Sequence, residues 1–493
     1  MRVSRNLLLL TLLTAASVLI EGYHPGVEDD NVYLPAIKMQ LHPQLYPSDS
    51  TFFRVQLQAT IFDKLIAWSV SLTHAPLDWT VLFWHVGTIF LVLWGCWRIS
   101  LRCFAEPHAQ WAGVALVAAL MSLPVAGTAL FLMDQQLHPR ALATAAILAA
   151  VTATLDGRRI LSPALLVIAL IIHPVMALLG ISFCFFLALA PHLSDTTWLR
   201  KRTAKLHVHY FALLPLAWLF QKPPAAWQHA LIGPNYLFLT RWQWYEWLGV
   251  LAPLAILWWF GGIARRNTWP VVVRLSRALI IFGVAQLLAA VAILSIPAMA
   301  RLRPIQPMRY LHLFYLLFVL LSGGILGQKL LRDRAWRWLL LFAPLSAVML
   351  YAQCQSFPGT EHFEWPGDAS GNPWVEAFRW IQRNTPENAL FALDPFYLSL
   401  PGEDYHGFRA LAERSVLADM VKDRIVAAQV PQLAPVWEDQ TNAQQGWAHF
   451  GKADFERLKA RYGVSWVVLT NPASAREMNC PYRNREVLVC RVE

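Results

Sequence analysis

Long apolar runs alternate with short polar segments over residues 1–355, and beyond them the pattern changes. The runs fall near 6–20, 79–97, 112–132, 141–155, 161–190, 207–221, 246–263, 278–297, 308–327 and 336–354. Most are long enough to cross a hydrocarbon layer, so they predict membrane-spanning helices. The run 161–190 is too long for one comfortable span and is interrupted by His173 and Pro174. Proline breaks a helix by removing a donor and crowding the preceding turn, so this run reads as two short helices in a hairpin. The total is about eleven spans. Residues 6–20 follow Arg2 and Arg5 and fit either a retained first span, the preferred reading, or a cleaved signal peptide. Either leaves a long first loop, 21–77, on the outside.

Turn residues crowd 356–372, which reads as a linker, and 373–493 carries the mixed periodicities of a small α/β domain. Trp374, Phe378 and Ile381 have the spacing of an amphipathic helix, which the NTPEN segment ends before the strand candidate ALFALD. A helix over about 453–462 precedes the strand SWVVLT, and EVLVCRV predicts a last strand. No internal repeat, low-complexity tract, phosphate-binding glycine loop or nucleophile elbow is present.

Composition agrees with the pattern: 56% of the residues are hydrophobic and only 15% charged, too few polar groups to cover one soluble core. The net charge of +10 does not point to nucleic acid, because the basic residues sit in short clusters between apolar runs. With the hairpin in place, Arg98 and Arg102, Arg158 and Arg159, Arg200 to Lys205, Arg265 to Arg277, and Lys329 to Arg337 all fall on one side. The positive-inside rule makes that side cytoplasmic, together with the N-terminus. The first loop, a loop around Asp134, an aromatic loop 222–245, the segment 298–307 and the C-terminal domain are then extracytoplasmic, as in a protein of a bacterial inner membrane. Many of the 23 Trp sit at the ends of apolar runs, where an amphipathic ring favours the headgroup layer. The six Cys lack metal-ligand spacing. Cys480 and Cys490 could pair as a disulfide or remain two thiols.

The segment GYHPGVEDDNVY places Glu28, Asp29 and Asp30 together beside a span. Adjacent carboxylates repel unless water, a cation or a basic partner compensates. Such oxygens suit Mg²⁺ or Mn²⁺, with Asp29 and Asp30 as the candidate ligands, and one carboxylate could act as a general base towards a hydroxyl. The same residues also read as a solvated acidic turn.

This segment resembles the first luminal loop of the GT-C superfamily, membrane glycosyltransferases that use polyprenyl-phosphate-linked sugars. Asp29, Asp30 and Tyr33 stand in that family's D-[DE]-x-x-[YH] pattern. The resemblance implies a mainly α, polytopic, GT-C-like bundle with a small α/β domain outside. It also implies a catalytic role for Asp29, assisted by Asp30, with Glu28 and Tyr33 binding substrate. The donor would be a polyprenyl-phosphate sugar drawn from among the membrane lipids, and the acceptor is left unspecified. The chain is also similar to uncharacterised bacterial membrane proteins that share the HPGVEDD opening and a later pattern, here Asn384, Thr385, Pro386, then Phe408, Arg409, Arg414, Ser415 and Val416.

Asp134 stands where GT-C enzymes often carry a second acidic residue, with His138 and Arg140 close by in sequence; an isolated loop Asp also caps helices. Arg301, Arg303 and Arg309 run against the charge bias of their face and could hold a departing phosphate, or pair with headgroups or the acidic loop. His173 within an apolar run needs a partner, for function or for the backbone carbonyls freed by Pro174. The aromatic loop, with Trp227, Tyr236, Trp242, Trp244 and Tyr245, fits an interfacial belt or a stacking surface for sugar or prenyl chain. A transporter or lipid-handling protein, and a noncatalytic envelope protein with this fold, are the rival readings.

Overall fold

The computed structural model describes residues 2–191 and 221–493. The span expected near 207–221 and the basic cluster from Arg200 to Lys205 lie outside the described residues.

The chain is an integral membrane protein whose described part is built mainly from helices. Helix α1 (Arg2–Glu21) leads into a first loop that is itself helical, with α2 (Asp30–Leu41), α3 (Thr51–Ala59) and α4 (Phe62–Thr73). The bundle continues with α5 (Leu77–Cys103), α6 (Pro107–Ala119), α7 (Pro139–Leu155), α8 (Leu161–Ile172) and α9 (Pro174–Leu189). After the short α10 (Ala225–Ile232) come α11 (Trp244–Arg266), α12 (Pro270–Ser295), α13 (Tyr310–Leu326) and α14 (Ala335–Ser356). Six of the described helices are long and apolar enough to cross a membrane: α1, α5, α11, α12, α13 with its flanking turns, and α14. Helix α13 is buried along most of its length, whereas α14 exposes Trp336, Leu339, Leu340, Val348 and Tyr351, as a helix facing lipid does.

The run 161–190 divides as expected. Its halves of 12 and 16 residues meet at His173, whose Nδ1 accepts the Met176 N–H at 3.3 Å and caps α9. They rise about 18 and 24 Å, short of a hydrocarbon core of about 30 Å. His173 therefore serves the backbone that Pro174 interrupts.

The run 112–132 is not one span. Helix α6 ends at Ala119 because Pro124 cannot donate and its ring would crowd the Leu120 carbonyl. The chain then folds back on itself, with Val125 N–H to Leu130 O (2.8 Å) and Met133 N–H to Met121 O (2.7 Å) satisfying buried backbone groups. This turn delivers Asp134 and His138 to the end of the bundle that carries the first loop.

Basic residues collect at the opposite end. Arg102 pairs with Asp156 at 2.6 Å, Lys329 donates to Asn267 Oδ1 at 2.6 Å, and His108 meets Asp333 at 3.2 Å. Arg274 and Arg277 donate to the Leu187 and Ala190 carbonyls at the C-terminus of α9, where helix carbonyls lack partners.

The C-terminal domain contains α15 (Pro373–Asn384), α16 (Phe408–Ala412), α17 (Lys422–Gln429), α18 (Ala434–Ala443) and α19 (Lys452–Tyr462). Its strands are β1 (Leu390–Ala392), β2 (Ser415–Val416), β3 (Trp466–Leu469), β4 (Asn479–Arg483) and β5 (Leu488–Arg491), ordered β2-β1-β3-β5-β4. Strand β1 runs parallel to β2 and β3, while β5 is antiparallel to β3 and β4. Trp374, Phe378 and Ile381 face inward as their spacing predicts, and Asn372 caps the helix by accepting the Trp374 N–H at 2.9 Å. Cys480 and Cys490 form a disulfide between β4 and β5.

The stretch expected to be a linker is packed: Phe363 bridges to Tyr23, and the buried Glu364 accepts from His24 (3.0 Å) and His406 (3.3 Å). A second joint is stronger. Arg409 of α16, 1% exposed, donates Nη1 and Nη2 to the Asp423 oxygens at 2.9 Å each and Nε to Asp49 Oδ2 of the first loop at 2.5 Å. Arg414 clamps the Gln382 and Thr385 carbonyls at 2.7 Å each. Replacing Arg409 with Met leaves two buried carboxylates without their cation, a loss of about 3–5 kcal/mol. We expect R409M to expose the 45–55 backbone to hydrogen exchange and to lower the thermal midpoint of the full chain; unchanged exchange there would show that the domain docks by other contacts.

Candidate functional site

The acidic loop leaves α1 through Gly22 and Gly26, both at positive φ (+83° and +87°). A Cβ at Gly26 would stand 2.9 Å from Leu411 Cδ2, so the close approach of the C-terminal domain requires glycine there. This tight turn sends its two adjacent aspartates in different directions.

Asp30, at the start of α2, is 1% exposed and its Oδ2 accepts the Gly26 N–H at 3.0 Å, closing the loop on itself. Burial pushes its carboxyl up to about 8, against the lowering effect of that N–H. Asp29 instead keeps 36% of its side chain open. Its Oδ2 accepts from His138 Nε2 at 3.1 Å and its Oδ1 from Lys422 Nζ at 3.0 Å. Burial raises the Asp29 pKa, but the Lys422 ammonium, the His138 hydrogen bond and Arg140 outweigh it and hold the carboxyl well below the usual range. Glu28 is the other partner of Lys422. Between them, the two carboxylates raise the Lys422 pKa in spite of its burial.

His138 caps α7, its Nδ1 accepting the Arg140 N–H at 2.9 Å. That bond fixes the tautomer: the proton resides on Nε2 and is donated to Asp29. Tyr33 packs edge-on against the His138 ring at 5.0 Å, and the His173 ring stacks at 6.3 Å. Asp134 is buried and ion-paired with Arg140.

The arginine trio separates. Arg309 lies within electrostatic reach of Asp29, Tyr33, Tyr236 and Arg140, and its buried Nε has no hydrogen-bond partner among the described residues. With Tyr236 and Gln306 it lines a small cleft. Arg301 instead donates to the Gln221 carbonyl at 2.9 Å and lies over Trp227, while Arg303 donates to the Leu294 carbonyl at 3.3 Å and lies over Phe238. Both are thus engaged with the aromatic loop and its surroundings. That loop is in part a structural seam, since Trp227 Nε1 donates to the Ala428 carbonyl of α17 at 2.8 Å, whereas Trp244 and Tyr245 are exposed.

No family model matches the chain, and no curated protein matches it. The whole chain aligns with 98% of the apo crystal structure of ArnT from Cupriavidus metallidurans, at 12% identity and a TM-score of 0.44. At that identity the likeness assigns no residue of this chain a role.

The donor set does not fit Mg²⁺ or Mn²⁺. Both Asp29 oxygens are engaged by N–H donors, Asp30 turns to Gly26, and the described residues contain no trio of His, Cys, Asp or Glu arranged to hold a metal ion. The cation that compensates the acids is an ammonium. Lys422, 393 residues from Asp29 in sequence, carried no local motif that could have identified it, and Tyr236 stood out only as one aromatic among several.

The Asp30 environment gives a signed pH dependence. Its folded pKa of about 8 lies above the ordinary carboxylate value of 3.8, so its contribution to stability is full below about pH 4 and is lost as pH rises towards 8. We expect Asp30→Asn, which keeps an acceptor for Gly26, to flatten that slope and to raise stability at pH 8 by at most a few kcal/mol. Thermal midpoints of both proteins from pH 4 to 8 check this, and parallel curves would refute it.

Proposed function

We propose that the chain is a GT-C-type membrane glycosyltransferase that moves a sugar from a polyprenyl-phosphate donor to an acceptor hydroxyl. The supporting observation is the convergence of an accessible, ionised Asp29 and the half-buried Arg309, whose Nε has no hydrogen-bond partner among the described residues, at one end of the bundle. A guanidinium with a buried, unbonded N–H is a site for an anion, and its planar fork suits phosphate oxygens. The D-[DE]-x-x-[YH] pattern of Asp29, Asp30 and Tyr33 supports the same reading.

In the reaction the acceptor oxygen attacks the anomeric carbon, and Asp29 takes the hydroxyl proton. The bond from that carbon to the phosphate oxygen breaks, and its electron pair leaves with the lipid phosphate beside Arg309. His138 Nε2–H keeps Asp29 Oδ2 fixed, which leaves Oδ1, held by Lys422 in this structure, as the oxygen that takes the proton. Asp30 serves the loop, and Asp134 serves Arg140. The gathering of basic clusters at the far end supports placing the site and the C-terminal domain outside the cytoplasm, in a bacterial inner membrane.

Vesicles containing the full chain and a radiolabelled polyprenyl-phosphate sugar test this. We expect label to pass to an acceptor and Asp29→Asn to lower the rate about 10²–10⁴-fold, with unchanged membrane insertion. Label that crosses without bond cleavage would identify a transporter, and normal turnover in D29N would remove the mechanism.

A further inference from the structure

The proposed base is restrained in this structure. Lys422 binds the Asp29 oxygen that the acceptor needs, and an ionised carboxylate held by an ammonium is a weak base. Catalysis through Asp29 therefore requires something to draw Lys422 away. Lys422 begins α17 in the C-terminal domain, and its backbone is firmly placed: its N–H donates to Asp419 Oδ1 at 2.6 Å, and the neighbouring Asp423 is locked by Arg409. Its side chain is a four-carbon stem carrying three rotatable donors, so the ammonium can turn while the domain stays docked.

The residues around it suggest where it turns. Tyr236 lines one cleft with Arg309, and it also lies within electrostatic reach of Lys422, Asp29 and Glu28, which are bonded to one another. Arg140 already has Asp134 as its counter-charge, and Glu28 and Asp29 share Lys422 between them. A lipid phosphate arriving beside Arg309 adds negative charge with no carboxylate's constraint on geometry, and it offers Lys422 several oxygens.

We propose that Lys422 is a substrate-binding residue that exchanges partners, leaving Asp29 for the donor phosphate when the lipid-linked sugar binds. This rests on the glycosyltransferase reading. Before donor binding the C-terminal domain keeps the base quiet; on binding, the same side chain joins Arg309 on the phosphate and Asp29 becomes free to accept a proton. The acceptor oxygen then replaces the lipid phosphate at the anomeric carbon, and the electron pair of the broken carbon–oxygen bond faces two cations. Idle deprotonation of water or of an acceptor in the absence of donor is thereby suppressed.

A zero-length carbodiimide couples an amine to a carboxylate only where the two touch, and so reads the exchange without activity. In the purified full chain we expect peptide mass spectrometry to find Lys422 joined to Asp29 or Glu28. Saturating undecaprenyl phosphate should abolish that cross-link, and undecaprenol, which has the same chain without the phosphate, should leave it intact. Lys422→Met should bind undecaprenyl phosphate about tenfold more weakly in a thermal-shift titration, as expected for one charge-assisted hydrogen bond. A cross-link that persists while the wild-type chain binds undecaprenyl phosphate overturns the exchange and leaves the donor reading standing. Equal loss with undecaprenol, or no cross-link in the absence of lipid, also overturns the exchange. A wild-type chain whose thermal midpoint undecaprenyl phosphate does not move overturns the donor reading, and the exchange with it.

Discussion

A guanidinium buried to 1% exposure between two carboxylates from distant parts of the chain is the constraint on which the candidate site depends. Without Arg409, Asp49 in the first loop and Asp423 in the C-terminal domain would be buried carboxylates with no cation between them, and Arg409 could not be buried without them. Because two Arg409 bonds go to Asp423 and one to Asp49, the triad fixes both distance and angle between loop and domain. Lys422 is the residue beside Asp423, so the same triad aims it at Glu28 and Asp29. Val416 N–H, donating to Asp49 Oδ2 at 3.0 Å, ties the sheet edge to the same carboxylate. The residues of the late sequence pattern, from Asn384 to Val416, are therefore the parts of a joint: Arg414 holds the turn at Thr385, and Arg409 holds the loop.

Two neighbouring aspartates show how environment divides one motif into two roles. They share composition, sequence context and a helix start, yet Asp30 is pushed up to about 8 by burial while Asp29 is held well below the usual carboxylate range. The difference is one of direction. Asp30 points into the loop, where a single backbone N–H does not repay desolvation; Asp29 points out of it, towards His138 and Lys422. Charge repulsion between adjacent acids is relieved by giving each a separate fate, and a metal ion is not needed to relieve it.

Much of the fold was legible because hydrophobic runs and turn residues are local signals. The interruption at His173 and Pro174, the amphipathic face of Trp374, Phe378 and Ile381, and the strands around Trp466 and Val489 all follow from chemistry within one or two turns of chain. The run 112–132 misled because apolar composition cannot distinguish a spanning helix from a buried turn; Pro124 was the one local sign, and its consequence depended on backbone partners inside the bundle. At the site, Asp29, Tyr33, His138 and Arg309 were within reach of motif and charge-bias arguments. Arg301 and Arg303 carried the same bias as Arg309, and only packing against Trp227 and Phe238 separates them. Lys422 was beyond reach, since nothing around it in sequence records that a carboxylate nearly four hundred positions earlier is its partner.

The placement of that lysine bears on why the chain carries a C-terminal domain at all. The helical bundle alone brings together Arg309, Arg140 and His138, while the first loop brings the acids Glu28 and Asp29. Without Lys422, Asp29 would still have His138, but Glu28 and Asp29 would face each other with no cation between them, in a setting where burial already opposes the Asp29 charge. The domain thus completes the electrostatics of a site whose other members belong to the membrane part. It also does so from a position fixed twice, by Arg409 on Asp49 and by Glu364 between His24 and His406. A domain that only covered the bundle would need neither buried joint, since apolar contact holds a cover in place without specifying angle. Two joints built from buried charge specify orientation, and orientation matters most when a single side chain has to meet a single oxygen.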